Sequence, residues 1–476
     1  MSESIGLIAL FTTAVAFAVL GIALARGRIA SVEDFISARS SSGAGVVALS
    51  LIASTLGAWV LFSPAEAAAR TGIVALAGYA VGSALAIAVF AWVGARMRRL
   101  LPEGHAITEF VFHRYGRVMY AFVLIATVAY MFIYLAAELT AIGAAVAAIT
   151  GINPATTVLA VLIATLAYTA YGGLRASLNT DVPQAALIVV LLVVLPVLFV
   201  IYVGGWGAVT QALSEKHPEL LSAAALSGWE TAFALVLALI GANLFNQGYW
   251  QRVWLCRTDE DLRRAFYIAG LVTVPAIFLA GSFGLIAQAA GILTQPSAAL
   301  FDLLGHFAVP ALAIAALVLA VALVMSSVDT LLSALASLFT VDAARLRPGL
   351  SGERLLLVSR WLTLVPAVLA GLIALQGYSV LYLFLLADLI CVAAAVPTFY
   401  GLYEPRLSGN VAIAASLLGL IAGGFLFPDP GFARGSLFLS FGLAALVPAV
   451  ICLLLGRRGE IFALENLRRR VGSLDA

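Results

Sequence analysis

Val324-Met325-Ser326-Ser327-Val328-Asp329-Thr330 sets hydroxyls and a carboxylate inside an apolar run that extends from Pro310 to about Ala343. A run of that length can cross the hydrocarbon core of a bilayer, which takes about 20 residues. An ionisable group at such depth is costly unless it faces protein or a water-filled site. Ser326 and Ser327, neighbours on one helix, offer the oxygen ligands that a small hard cation prefers. Equally, both hydroxyls can bond back to carbonyls one turn earlier. The stretch leaves these two readings open, and the rest of the chain has to separate them.

Of the 476 residues, 63% are hydrophobic and 11% charged, and the formal net charge is +2. Soluble domains carry about a quarter charged residues, so the composition predicts an all-α polytopic membrane protein made of one transmembrane domain. The mean hydropathy of +1.09 agrees. Lys216 is the only lysine among the basic residues, and nucleic acid is not an expected partner. Cys256, Cys391 and Cys452 lie far apart, and His105, His113, His217 and His306 are scattered. Neither a disulfide framework nor a zinc site is indicated. The N-terminal run follows no basic leader and reads as a retained helix.

Apolar runs fall near 5–26, 46–69, 73–95, 118–149, 154–172, 181–204, 231–254, 267–289, 310–343, 354–376, 379–403, 409–427 and 436–456, which predicts about thirteen spans. Short cytoplasmic loops are enriched in Lys and Arg. With the N-terminus outside and the C-terminus inside, 22 of the 26 basic residues fall in loops on the inner side. Arg28, Arg39, Arg98, Arg252, Arg347 and Arg470 are among them, whereas Arg70, Lys216 and Arg434 lie outside and Arg360 within a span. The connections Val32 to Ser40, Gly104 to Gly116 and Thr258 to Ala265 mix acids, arginines and apolar residues as interfacial helices do. The tail from Glu460 reads as one short charged surface helix.

Two spans look interrupted. The second holds small and hydroxyl residues around Gly57, with Pro64 further along; proline removes a backbone donor and frees a carbonyl one turn back. The seventh holds Asn243, Asn246 and Gln247 between Gly241 and Gly248. Interrupted helices at mid-membrane are where transporters with inverted repeats hold solute and ion. The two lie five spans apart, as corresponding first helices of a five-plus-five repeat would.

The block Tyr168-Thr169-Ala170-Tyr171-Gly172-Gly173-Leu174-Arg175-Ala176-Ser177-Leu178-Asn179-Thr180-Asp181-Val182-Pro183-Gln184, with Ser326-Ser327-Val328-Asp329-Thr330, Val32 to Arg39 and Gln251-Arg252, resembles the sodium:solute symporter family, which includes proline, sialic acid and sugar symporters and urea transporters. The resemblance runs in order over nearly the whole chain. It implies a leucine-transporter-like five-plus-five inverted repeat: a first repeat over 46–204, a second over 205–403, one extra helix and an amphipathic segment in 1–45, and two helices and a cytoplasmic tail in 404–476.

The resemblance also implies a site for Na⁺, the coupling ion, made by the carbonyls of Ala53, Leu56 and Leu323 and the hydroxyls of Ser326 and Ser327. Asp181 is implied to serve a second Na⁺ site or the sodium exit path; read from the residues alone, it is a helix N-cap. By position in such a fold, the solute is expected beside Thr55, Gly57, Ala58, Trp59, Tyr79, Tyr134, Asn243, Phe245 and Asn246. Thr55 and Gly57 replace the acid and serine of proline symporters, which argues against an identical amino-acid site. Phe245 and Tyr249 are candidate gates. Asp388, Glu138 and Glu66 are further acids within spans, and Asp388 is expected to pair with Arg360.

The function expected is Na⁺-coupled uptake of a small polar organic solute across the cell membrane by alternating access, as a monomer or weak oligomer without an organic cofactor. Two alternatives stay open: a proton-coupled symporter of the same fold using Asp181 or Asp388, and a solute sensor or channel that does not concentrate its ligand. A membrane enzyme is not indicated, because no metal-spaced His cluster, GxSxG elbow or P-loop is present.

Overall fold

The computed structural model describes residues 2–27, 29, 31–346, 352–376, 380–431, 433–472 and 474; Arg28 and Arg347, counted above on the arginine-rich side, lie outside them. The described residues are mainly helical: α1 (Glu3–Ala25), α2 (Val32–Ile36), α3 (Ala44–Thr55), α4 (Ser63–Ala88), α5 (Phe90–Leu100), α6 (Ile107–Tyr115), α7 (Arg117–Thr150), α8 (Pro154–Tyr202), α9 (Trp206–Lys216) and α10 (Pro218–Leu221). They are followed by α11 (Leu226–Asn243), α12 (Gln247–Leu255), α13 (Asp259–Ala290), α14 (Ala299–Phe307), α15 (Pro310–Leu346), α16 (Gly352–Leu362), α17 (Leu364–Ala374), α18 (Val380–Tyr400), α19 (Gly409–Gly424) and α20 (Leu437–Leu455).

Among the described residues, ten helical stretches are long and apolar enough to cross a membrane, and α3 and α19 are shorter apolar helices. The expected spans map onto these with shifted boundaries. Spans two and three meet inside α4 at Gly72, where φ is +83°. Spans five and six form one 49-residue helix, α8, bent at Gly173, whose φ is +51°. Glycine is required at Gly173 twice over: the left-handed backbone disfavours any side chain, and a Cβ would sit 2.3 Å from the carbonyl oxygen of Phe35. Among the described residues of the tail, the short charged helix is a 3-10 helix at Leu464–Arg469.

α15 is the most buried of the ten stretches, and α1 and α20 are the least. α15 packs on α8, α7, α1 and α3, while α4 packs on α13 and α11. The seven-residue stretch quoted above therefore lies at the centre of the bundle, and a polar group there must find its partners in protein.

On the arginine-rich side the connections fold over the helix ends. Trp254 donates its Nε1–H to the Leu101 carbonyl at 2.9 Å, and Gln247 and Gln251 donate to the carbonyls of His105 and Ile36 at 2.6 and 2.7 Å. Arg39 donates to the carbonyls of Pro102 and Gly104. At the middle of this layer His105 Nε2 lies 2.6 Å from Glu33 Oε1, while the backbone N–H groups of His105 and Ala106 donate to Glu109 Oε2 at 2.6 and 3.0 Å. Burial works against charge on His105, but Glu109 and Glu33 outweigh it and lift the imidazole to about 9. Glu33 and Glu109, in turn, are held below the usual carboxylate range by His105 despite burial.

Candidate functional site

The first break is sharp. α3 stops at Thr55, Leu56 turns tightly so that the Gly57 N–H meets the Thr55 carbonyl at 3.2 Å, Gly57 is extended, and a 3-10 turn at Ala58–Leu61 leads into α4. The expected interruption around Gly57 is thus present, with Pro64 in the first turn of the helix that resumes. Gly57 is needed for space: a Cβ would lie 2.3 Å from Glu138 Oε1. Glu138, fully buried on α7, caps the break by accepting from the Ala58 N–H at 2.7 Å.

α15 meets the same break. Ser326 Oγ donates to the Ala53 carbonyl at 2.6 Å, and Ser327 Oγ donates to Glu138 Oε2 at 2.7 Å. Both hydroxyls also lie within hydrogen-bond range of the Leu323 carbonyl, at 3.3 and 3.1 Å. The back-bond to a carbonyl one turn earlier is thus present in both serines, and each adds a bond to a partner outside α15. Ala53, Leu323, Ser326 and Ser327 are brought together, and Leu56 stands in the break three residues on from Ala53. Glu138 adds a carboxylate to this set, and its Oε1 is buried with no hydrogen-bond partner among the described residues. Two hydroxyls, freed carbonyls and one carboxylate form a hard-oxygen donor set suited to Na⁺. Reading the sequence as separate spans left Glu138 unassigned, since nothing in the spacing places α7 against a break eighty residues earlier.

Asp181 lies in a neighbouring cluster. Its Oδ2 accepts from Ser50 at 2.5 Å and from Arg252 Nη2 at 3.2 Å, and the ion pair is completely buried. Arg252 also donates to Ser50 and to Thr330, at 3.1 and 2.8 Å. Asp329 on α15 accepts from Tyr168 and Ser177, each at 2.7 Å. These bonds join α3, α8, α12 and α15 between the first break and the arginine-rich side. Asp181 Oδ1 has no hydrogen-bond partner among the described residues.

Beside the first break, on the far side from the arginine-rich layer, is a narrow cavity of about 30 Å³, on a scale where one water needs about 10–15 Å³. Thr55, Trp59, Tyr79, Tyr134 and Asn243 line it, together with Tyr130, Tyr249, Phe384 and Asp388. Trp59 stacks on Tyr79 with centroids 5.6 Å apart, and Tyr134 meets Phe384 edge-on at 4.7 Å. Trp59 Nε1 donates to the Tyr134 hydroxyl at 3.1 Å, and the hydroxyls of Thr55 and Tyr249 bond each other at 2.7 Å across the two broken helices.

Of the other expected solute contacts, Gly57 and Ala58 face Glu138, Phe245 packs on Phe399, and Asn246 caps α12 through the Gly248 N–H. Among the gate candidates, then, Tyr249 lines the cavity and Phe245 does not. The ion pair expected between Asp388 and Arg360 is absent: Arg360 donates to the Tyr171 carbonyl, away from the cavity. An arginine one span earlier in sequence was too weak a guide, because helices adjacent in sequence need not face each other.

A second cavity, of about 320 Å³, shares Leu235, Leu381 and Leu385 with the first and extends past Arg70, Glu230 and the α19–α20 connection. The two cavities therefore adjoin at these leucines.

A profile of the sodium:solute symporter family matches residues 35–419. A spermidine transporter of Candida albicans is 30% identical over 409 residues, covering 84% of this chain and 76% of that protein. The urea active transporter of Saccharomyces cerevisiae is 24% identical over 435 residues, 82% of this chain but 58% of its own length, so the chain spans less than two thirds of that relative. The solved structure of a Na⁺-coupled sialic acid symporter, in a substrate-bound outward-open state, matches with a TM-score of 0.80 over 97% of this chain and 99% of the other at 17% identity. The fold is accordingly the leucine-transporter-like one that the family resemblance implied.

Proposed function

This chain belongs to the sodium:solute symporter family, a multi-pass transporter of the cell membrane, and from that premise we propose that it couples inward movement of Na⁺ to uptake of a small polar organic solute by alternating access. The observation that carries the reading is the oxygen cluster at the first break, where Ser326 meets Ala53 and Ser327 meets Glu138. Na⁺ held there by Ala53, Leu56, Leu323, Ser326, Ser327 and Glu138 ties α3 to α15 and α7, and it favours the conformation in which that junction is closed. Coupling then follows from differential affinity between states, since an ion equally at home in both drives nothing.

The arrangement of cavities supports an outward-leaning state; the reading places the arginine-rich side towards the cytoplasm and the repeats at 46–204 and 205–403, with a monomer or weak oligomer as the working unit. Asp181, locked to Arg252, is assigned to the exit side of the ion path. The relatives are named for spermidine and urea, both small nitrogenous solutes, which supports a polar organic cargo.

Proteoliposomes containing the purified chain test this directly: an imposed Na⁺ gradient should drive solute accumulation, and a Na⁺-free pH gradient should not. A second reading, proton coupling in the same fold, draws on the carboxylate of Glu138 at the break. Accumulation on the pH gradient alone would favour it over Na⁺.

A further inference from the structure

We propose that the solute is an organic cation, its ammonium group held among Trp59, Tyr79, Tyr130, Tyr134 and Phe384 with Asp388 as counter-charge. The inference rests on the transport reading above and names the class of cargo.

Asp388 carries it. This carboxyl group is 4% exposed on α18, one helical turn after Phe384, and faces the aromatic cavity. Among the described residues it has no hydrogen bond or ion pair, and no Lys, Arg or His lines the cavity. A buried carboxylate is expensive unless something positive or hydrogen-bonding meets it. Every other buried Asp or Glu near the break has partners: Glu138 has Ser327 and Ala58, Asp181 has Arg252 and Ser50, and Asp329 has Tyr168 and Ser177. Asp388 alone among these acids faces a space that a ligand can fill.

The rings around it narrow the ligand's chemistry. An aromatic face is electron-rich and attracts a cation within about 6 Å of its centroid; cages of several rings are the usual solution for alkylammonium groups. Most polar tips are already committed, Trp59 Nε1 and the Tyr134 hydroxyl to each other and Thr55 to Tyr249, while the Ser83 hydroxyl has no partner among the described residues. The cavity therefore offers faces and one negative charge more readily than the many donors and acceptors a sugar needs. It opposes an anion outright. In this structure the rings are drawn together, with Trp59 and Phe384 centroids 6.0 Å apart, so an alkylammonium group is admitted by parting them.

The test is calorimetric titration of the full chain in detergent with Na⁺ present, using choline, its uncharged carbon isostere 3,3-dimethylbutan-1-ol, putrescine, spermidine, urea and proline. At least one of the three cations should bind, choline should bind at least tenfold more tightly than its isostere if it is the preferred probe, and each cation that binds should outbind urea and proline. Asp388→Asn should weaken cation binding at least tenfold while leaving the Na⁺-dependent rise in thermal stability unchanged. Equal binding of charged and uncharged isosteres, tighter binding of a neutral solute, or no binding by any cation overturns the proposal. The wild-type comparison needs no variant, so it decides the matter even if Asp388→Asn does not fold. The two readings fail separately: Na⁺-driven uptake of urea with no cation preference removes the cation alone, whereas cation binding without uptake on any ion gradient removes the transport reading.

Discussion

Ser327 on α15 donates its hydroxyl to Glu138 on α7 at 2.7 Å, and the same carboxylate oxygen accepts the Ala58 N–H from the broken helix at 2.7 Å. Three separate segments therefore converge on one oxygen atom, next to the carbonyls proposed to hold the ion. Replacing Ser326 and Ser327 together by Ala removes two hydroxyl ligands. The Na⁺ concentration for half-maximal uptake should rise at least tenfold, equivalent to about 1.4 kcal/mol, with expression preserved. An unchanged Na⁺ dependence would take these serines out of the site.

Glu138→Gln tests the carboxylate without changing its size. An amide accepts through one oxygen only and carries no charge, so Na⁺ affinity should fall and uptake should slow, while α3 and α4 still pack. Gly57→Ala probes the same contact from the other partner. Its Cβ would need the place of Glu138 Oε1, 2.3 Å away, and overpacking of that kind costs about 1–3 kcal/mol. A lowered melting temperature together with lost Na⁺ stabilisation is the expected pair of readouts; normal Na⁺ stabilisation in Gly57→Ala would contradict the fit described.

Arg252 is the only positive group paired with Asp181 among the described residues. Removing one member of a buried ion pair strands the other, at about 3–5 kcal/mol. Arg252→Met should destabilise strongly, and a double variant that also carries Asp181→Leu should recover much of the loss, because apolar replacement of a whole buried pair is often neutral. Chemical denaturation of the single and double variants separates this from a merely local effect.

The His105 layer gives a pH dependence with a definite sign. His105 is raised in the folded chain to about 9 from an ordinary value of 6.5. Its stabilisation is thus fully present below about pH 6.5 and is lost as pH rises through about 9. Glu33 and Glu109 are lowered, so their share is present above the ordinary carboxylate range and lost on acidification through it. Hydrogen-exchange protection in 104–109, corrected for the base-catalysed intrinsic rate, should fall between pH 7 and 9.5 in the wild type. In His105→Gln the protection should be low and nearly independent of pH across that window; a wild-type profile in the variant would disprove the role.

Both helix breaks were legible because they depend on local chemistry: Gly57 and Pro64 in one, and amides between Gly241 and Gly248 in the other. Ser326 and Ser327 announced themselves as hydroxyls where lipid would demand hydrocarbon. What stayed hidden depends on how distant helices face each other. Glu138 reads as one more acid in an apolar span until α7 is laid against the break, and Asp388 looked like a partner for Arg360 until α18 turned it towards Trp59 and Tyr79. Tyr130 and Phe384 carry no pattern that distinguishes them from ordinary core aromatics. The bend at Gly173, which fuses two predicted spans into α8, hides in a block quoted for its family likeness, since hydropathy does not register a left-handed backbone.

Leu235, Leu381 and Leu385 each line both cavities, so the wall that the second cavity and the aromatic pocket share is built of hydrocarbon side chains. Such a partition works as a toll on hydration: whatever crosses must shed its water before any ring or carboxylate can compensate it. Speed of passage and strength of holding are then set by different residues, and the leucines can be resized to change the first while the rings and Asp388 keep the second.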